Sequence, residues 1–445
     1  MTIAGAAVRL RAGAISSVDL VDSSLRAIDA LNGQTHAFIR VDADEARAAA
    51  RHADAERASG HDRGPLHGMP ISIKDLIDIK GKPTTAASRV LADRIAAADA
   101  PVITRLRDAG AILIGKTNLH EFALGTTSEA SAFGAVHHPR DLARSAGGSS
   151  GGSAVAVLTG MGLASVGSDT GGSIRIPSSC CGLVGLKPTL GEVPTAGVVP
   201  LSVTLDHVGP IALTVQDAAW LWAVLAGQSV ATLTPSPPSS IRLRHVDGYF
   251  SVMAPDVRAS FDAALGALRR AGVTITTGDI DQTDLILRTY VNVALPEATT
   301  WHARYLETRS ASYTPPVRAL LESGRGIPAV DYLAARAMQT DFGRLVDAAL
   351  DGCDALVLPT LPITAPLLGA ADVAVDGRGT ERLAVRVAML RNTQLFNLTG
   401  HPAISLPLRS EGLPAGLQLV GRLHKTPWLL AIAAACEKIV CPEIG

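Results

Sequence analysis

Residues Ala146–Val157 read "AGGSSGGSAVAV", and residues Gly167–Thr189 read "GSDTGGSIRIPSSCCGLVGLKPT". How these two glycine- and serine-rich segments are read decides the fold. A flexible spacer is polar on both flanks, whereas the first cluster runs straight into Ala154-Val155-Ala156-Val157, which has the character of core. The same cluster satisfies G-x-S-x-G over Gly147–Gly151, the elbow that presents a nucleophilic serine in α/β-hydrolases. That elbow needs an acid and a histidine later in the chain. Asp206 and His207 are neighbours and poorly placed to serve together.

A third pattern accounts for more. Ser173 follows Ser149 by 24 residues, and Lys74, in "GMPISIKD", precedes Ser149 by 75. The chain carries seven lysines against 33 arginines, and of the two types lysine alone sheds its proton readily enough to act as a base. Burial favours its neutral form. Alternation of Ile71 and Ile73 with Ser72 and Lys74 also fits a solvent-facing lysine on a strand edge.

Taken together, these segments resemble the amidase signature family, strongly over about Leu66–Gly227 and again over Asp354–Arg422, with 235–350 only weakly similar. The resemblance implies a Ser-cisSer-Lys triad in which Ser173 is the nucleophile, Ser149 the bridging serine in a cis peptide and Lys74 the base. It implies backbone N–H groups of Thr170, Gly171, Gly172 and Ser173 around the oxyanion. Asp169 and Arg175 would support the loop from behind, with an ordinary salt bridge as the plain alternative, and Ser150 would bond within the glycine-rich turn. Two departures from the family pattern stand out: Ala146 where relatives commonly carry proline, and His138 where asparagine is usual.

The expected function is hydrolysis of a carboxamide C–N bond through a Ser173 acyl-enzyme, giving an acid plus ammonia or an amine. The substrate is a small amide, and no cofactor or metal is implied. Within the family, a carbamate hydrolase and the glutaminase component of a tRNA-dependent amidotransferase remain alternatives. Against the latter, region 297–340 lacks the tyrosine- and arginine-rich pattern expected of that component, and the chain is somewhat short for it.

The remaining motifs are weighed against this reading. "GAILIGKT" (Gly110–Thr117) satisfies the P-loop pattern and supports a nucleotide-binding alternative. Its inner residues Ala111-Ile112-Leu113-Ile114 suit a strand better than a phosphate cradle. "HEFAL" places Leu124 where a zinc helix needs a second histidine after His120, and His137 and His138 have no partners at ligand spacing. Trp301, Tyr305 and Phe396 are candidates to line a pocket, core packing being the plain alternative.

Composition sets the class. Hydrophobic residues make up 47% and charged ones 18%, as in an ordinary globular chain, and 40 basic residues against 41 acidic ones leave no footprint for nucleic acid. The opening "MTIAGAAVRLRAGAISS" lacks the apolar stretch of a signal peptide, and no run of about 18 apolar residues occurs, so a cytoplasmic location without membrane contact is expected. Five cysteines without CxxC spacing fit small core residues better than disulfides. Nothing in the pattern fixes the oligomeric state.

The alternation of apolar runs at 69–75, 110–117 and 160–170 with helical stretches such as Pro101–Asp108 predicts an α/β fold, a single large domain with a mixed β-sheet core flanked by α-helices. Within 1–445, a helical lead-in occupies 1–60 and the pattern is helical from Val18 to Ala58 with Ser16 or Ser17 as N-cap. The catalytic core spans 66–227. "ATLTPSPPSS" (231–240) is a surface connection, and 235–350 is a variable, substrate-side helical region. Strands and a helix over 352–445 return to the core.

Overall fold

The computed structural model describes residues 1–408 and 412–441. Its centre is one mixed sheet of eleven strands. In chain order these are β1 (Phe38–Val41), β2 (Pro70–Lys74), β3 (Ile112–Thr117), β4 (Ala164–Asp169), β5 (Val184–Lys187), β6 (His207–Ala212), β7 (Arg242–Val246), β8 (Thr274–Gly278), β9 (Ala355–Pro359), β10 (Ala403–Leu408) and β11 (Ala415–Val420). Across the sheet they run β1-β3-β2-β4-β6-β5-β10-β11-β9-β7-β8. β2 pairs in parallel with β3 and β4, β4 lies antiparallel to β6, and β10 joins the amino-terminal strands to the carboxyl-terminal ones.

The central strands β2, β4, β5, β6, β9, β10 and β11 are buried at every position, including Ser72 and Lys74 on the alternating β2, so the solvent-facing placement of Lys74 does not occur. Helices cover both faces; Val215–Ala226 and Thr426–Val440 pack on one another and on the sheet. Among the described residues no helix is long and apolar enough to cross a membrane.

Two elements depart from the sequence expectation. The helix predicted over Val18–Ala58 is two helices, Ser17–Thr35 and Ala43–Ala58, separated by β1. The first carries a capping box between Ser16 and Asp19 and ends at His36 in the left-handed region, φ 50°. "FIRV" then pairs antiparallel with β3, so sheet pairing of an aromatic and β-branched run overrides the helical periodicity around it. Likewise 235–350 is not wholly helical: "RLRHV" and "TITTG" form β7 and β8, a parallel edge pair bridged by the helix Pro255–Arg270.

The P-loop pattern is a strand. Ile112–Thr117 is β3 itself, and a Cβ at Gly115 would strike the carbonyl of Arg40 on β1, so that glycine serves close strand approach. Lys116 is buried and bonds the equally buried Asp75 at 2.8 Å. A lysine held in this way cannot reach a phosphate. Replacing Lys116 by Met is expected to cost about 3–5 kcal/mol of unfolding free energy by urea titration, because Asp75 is left as an uncompensated buried charge. A loss below about 1 kcal/mol would contradict this pairing.

Candidate active site

Lys74 is the last residue of β2 and Asp169 the last of β4. Because the two strands are parallel neighbours, their carboxyl ends open at the same edge, the usual position of a ligand crevice in an α/β sheet. Ser149 lies two residues before the helix Gly151–Leu158, and Ser173 two residues before the helix Arg175–Cys181. The Ser150 amide donates to the Ser173 carbonyl at 3.2 Å and ties the two turns together. The Gly148–Ser149 peptide is cis. Ser128 holds this segment: its hydroxyl donates to the Ser149 carbonyl at 3.2 Å and accepts the Gly151 amide at 3.1 Å.

Lys74 has no exposed surface. Its Nζ lies 2.7 Å from Ser149 Oγ and 2.9 Å from Ser168 Oγ. Desolvation pulls its pKa down to about 7, against the opposing attraction of Asp169 and Asp206. A substantial fraction of the amine is therefore neutral near pH 7. Ser173 retains 5% exposure, and among the described residues its hydroxyl is not hydrogen-bonded to that of Ser149.

The turn between β4 and Ser173 is shaped by its glycines. Gly172 sits at φ 140°, a Cβ there would strike Thr393, and one at Gly171 would strike the Tyr290 hydroxyl. The amides of Thr170, Gly171, Gly172 and Ser173 are buried and find no acceptor among the described residues. Buried amides ordinarily are paired, so four consecutive unmet donors suit an acceptor brought from outside.

Asp169 and Arg175 form a bidentate pair at 3.0 and 2.9 Å, both completely buried. Burial raises the Asp169 pKa, but Arg175 and Asn397 outweigh it and hold the carboxyl well below the usual range. Asp169 Oδ2 also accepts the Ile174 amide at 3.1 Å, and the remaining N–H groups of Arg175 are spent on the carboxyl-terminal half of the chain. Arg175 donates to Gln418 at 2.7 Å, to Asn397 at 2.6 Å and to the Thr393 carbonyl at 3.1 Å. Asn397 donates to Asp169 Oδ1 at 2.8 Å, and Thr393 Oγ1 to the Gly171 carbonyl at 2.5 Å.

Lys74, Ser149, Ser150, Asp169, Thr170, Gly171, Gly172, Ser173 and Arg175 thus come together at one edge of the sheet. Ser150 does not bond within its own turn; its hydroxyl reaches the Ser168 carbonyl at 3.2 Å. Ser168, Asp206, Thr393, Asn397 and Gln418 are the participants that sequence reasoning missed. Ser168 carried a signal, since it lies inside the second glycine–serine cluster, whereas Asp206 stood out only as the neighbour of His207. Asp206 accepts Thr170 Oγ1 at 2.5 Å, and burial pushes its pKa up to about 6. His207 turns the other way, toward the Leu205 carbonyl and Lys187.

The departures prove structural in their bonding. His138 meets the Cys180 carbonyl at 3.1 Å and the Arg140 amide at 3.2 Å, and Ala146 accepts the Cys181 thiol. Of the three aromatic candidates, Trp301 lines a cavity of 790 Å³ with Glu297 and Tyr332, whereas Phe396 stacks on Phe250 in the core. Tyr305 packs against Trp301. No cluster of three metal-ligating side chains occurs among the described residues.

The sequence model of the Amidase family matches residues 19–426. This chain belongs to the amidase family. It is 38% identical to one of the subunits of the glutamyl-tRNA(Gln) amidotransferase of Anaeromyxobacter sp. (strain K), over 99% of its own length and 96% of that protein. A solved amidase structure superposes with a TM-score of 0.93 at 35% identity, covering 99% of this chain and 100% of that one. The peptide amidase of Stenotrophomonas maltophilia gives 0.84 at 28% identity, covering 99% and 97%. Family members are hydrolases acting on C–N amide bonds.

Arg175→Lys is expected to lower both thermal stability and turnover, because an ammonium cannot reproduce the planar fork that holds Asp169, Asn397 and Gln418 together. A melting temperature and turnover equal to wild type would remove Arg175 from this role.

Proposed function

We propose that the chain hydrolyses a small carboxamide with Ser173 as nucleophile, Ser149 as proton relay and Lys74 as base. The observation that carries this reading is the fully buried Lys74 amine, 2.7 Å from Ser149. Ser168 accepts an N–H of the neutral amine, which leaves the nitrogen lone pair directed at the Ser149 hydroxyl. Substrate binding closes the remaining step from Ser149 to Ser173, a tightening common to catalytic hydrogen bonds.

Ser173 then attacks the amide carbonyl, its proton passing to Ser149 as the Ser149 proton passes to Lys74. The amides of Thr170, Gly171, Gly172 and Ser173 take the developing oxyanion. Ser149 returns a proton to the departing nitrogen, which leaves as ammonia or amine, and water hydrolyses the acyl-enzyme by the same route.

A second reading has a specific observation behind it, the 38% identity to the glutamyl-tRNA(Gln) amidotransferase component. The free-amidase reading is favoured by shape: the solved component of the same name from Thermotoga maritima superposes at a TM-score of 0.77, against 0.93 for the amidase. Release of ammonia from glutamine only in the presence of added partner proteins would reverse this preference. Carbamates stay within reach of the same chemistry.

Ser173→Ala is expected to abolish ammonia release without loss of fold. Lys74→Met should lower kcat/KM by about 10²–10⁴-fold, the usual contribution of a positioned base. In the wild type, kcat/KM should rise with pH through an apparent pKa near 7, because the base must be uncharged and its protonated form dominates at lower pH. A flat profile from pH 5 to 9, or turnover surviving in the Ser173 variant, would refute the mechanism.

A further inference from the structure

Arg386 lies in the short helix Val385–Leu390 beside the active-site edge, partly buried. Its one hydrogen bond among the described residues is a long one, 3.4 Å, to the Leu124 carbonyl. Among the described residues no carboxylate pairs with it. The nearby acids are engaged elsewhere, Asp169 with Arg175 and Asp206 with Thr170 and the amides of Leu201 and Ser202. Desolvation pulls the Arg386 pKa below the usual arginine range, and Tyr290 is the group that opposes it.

Two further polar groups around Arg386 are also unspent. The Tyr290 hydroxyl sits against Gly171 of the nucleophile loop and has no hydrogen-bond partner among the described residues. Burial raises its pKa to about 12, so it keeps its proton to donate. His120 gives its backbone N–H to the Ser149 carbonyl at 3.1 Å, while its buried Nδ1 has no partner among the described residues. Burial, then Arg386 and Lys74, push its pKa down to about 3, so the ring is neutral.

We propose that Arg386, Tyr290 and His120 form a carboxylate-binding subsite next to Ser149 and Ser173, and that the preferred substrates are small amides carrying an anionic group. This rests on the amide-hydrolase reading and names its substrate class. The guanidinium bonds the turn that follows His120, and Leu390 at the end of its helix meets Gly171 beside the Tyr290 hydroxyl, so the three groups share this edge and their unspent N–H and O–H groups suit a carboxylate. A neutral amide of the same size leaves the guanidinium unmatched, which is the condition under which a polar site discriminates strongly.

The test compares two pairs of substrates. Succinamate against butyramide places the charge on the acyl half, and N-acetylglycine against N-propylacetamide places it on the amine half. Wild-type kcat/KM is expected to favour the charged member of at least one pair by about tenfold or more, and the pair that responds identifies the half. Arg386→Met should bring that ratio close to one, chiefly through KM, and Arg386→Lys should keep part of it.

Binding is read separately from turnover, by calorimetric titration of the Ser173→Ala variant with succinamate and N-acetylglycine. Saturable binding of either, weakened about tenfold or more by Arg386→Met, supports the subsite even if hydrolysis fails. The proposal falls if the wild type shows no charge preference in either pair, if Arg386→Met lowers both members of a pair equally, or if neither anion binds. Hydrolysis of the neutral amides in that case leaves the amidase reading standing.

Discussion

A lysine amine kept dry, so that a substantial fraction of it is neutral near pH 7, is the constraint on which the arrangement depends. β2 is buried between β3 and β4 and delivers Lys74 to the carboxyl end of the sheet with no exposed surface. Dryness alone is insufficient, because Asp169 stands at the end of the next strand and a bare carboxylate there would hold the ammonium form. Arg175 removes that danger by occupying both carboxylate oxygens. The pair is close to neutral as seen from Lys74, so desolvation wins over attraction and the Lys74 pKa falls.

The turn that carries Ser173 accordingly depends on chain more than two hundred residues away. Thr393, Asn397 and Gln418 satisfy Arg175, Asp169 and the Gly171 carbonyl, and Gln418 comes from β11 at the middle of the sheet. The bonds that hold the turn after β4 are therefore complete only when the carboxyl-terminal strands have docked through β10 against β5. This dependence also gives a physical reason for the family match to run through residue 426 rather than stop after the glycine–serine clusters.

The sequence was legible where a local pattern and a chemical role coincide. The buried strands, the helix Pro101–Asp108 and the two glycine–serine clusters carry their meaning in consecutive residues. Reading failed where tertiary pairing decides: "FIRV" is a strand because β3 has an open edge, and "RLRHV" and "TITTG" are strands because they complete the far side of the sheet. The P-loop pattern was legible locally: its spacing fits a phosphate loop, but its apolar interior Ala111–Ile114 marked it as the strand that Ile112–Thr117 forms. Thr393, Asn397 and Gln418 had no local signal at all, being ordinary polar residues until the fold brings Arg175 to them.

The buried cations separate architecture from chemistry. Lys116 is spent on Asp75, and Lys187 on the carbonyls of Pro188 and His401 together with His207. Arg175 has no N–H left to give a ligand. Lys74 and Arg386 differ. Lys74 faces hydroxyls instead of carboxylates, an arrangement that favours proton transfer over ion pairing, and Arg386 has no carboxylate partner among the described residues, only a long bond to the Leu124 carbonyl. A protein selected for stability alone would replace an unpaired guanidinium with an apolar side chain, because desolvating that charge without a partner is costly. Retaining it beside Ser149 and Ser173 makes sense when the missing anion arrives with each substrate.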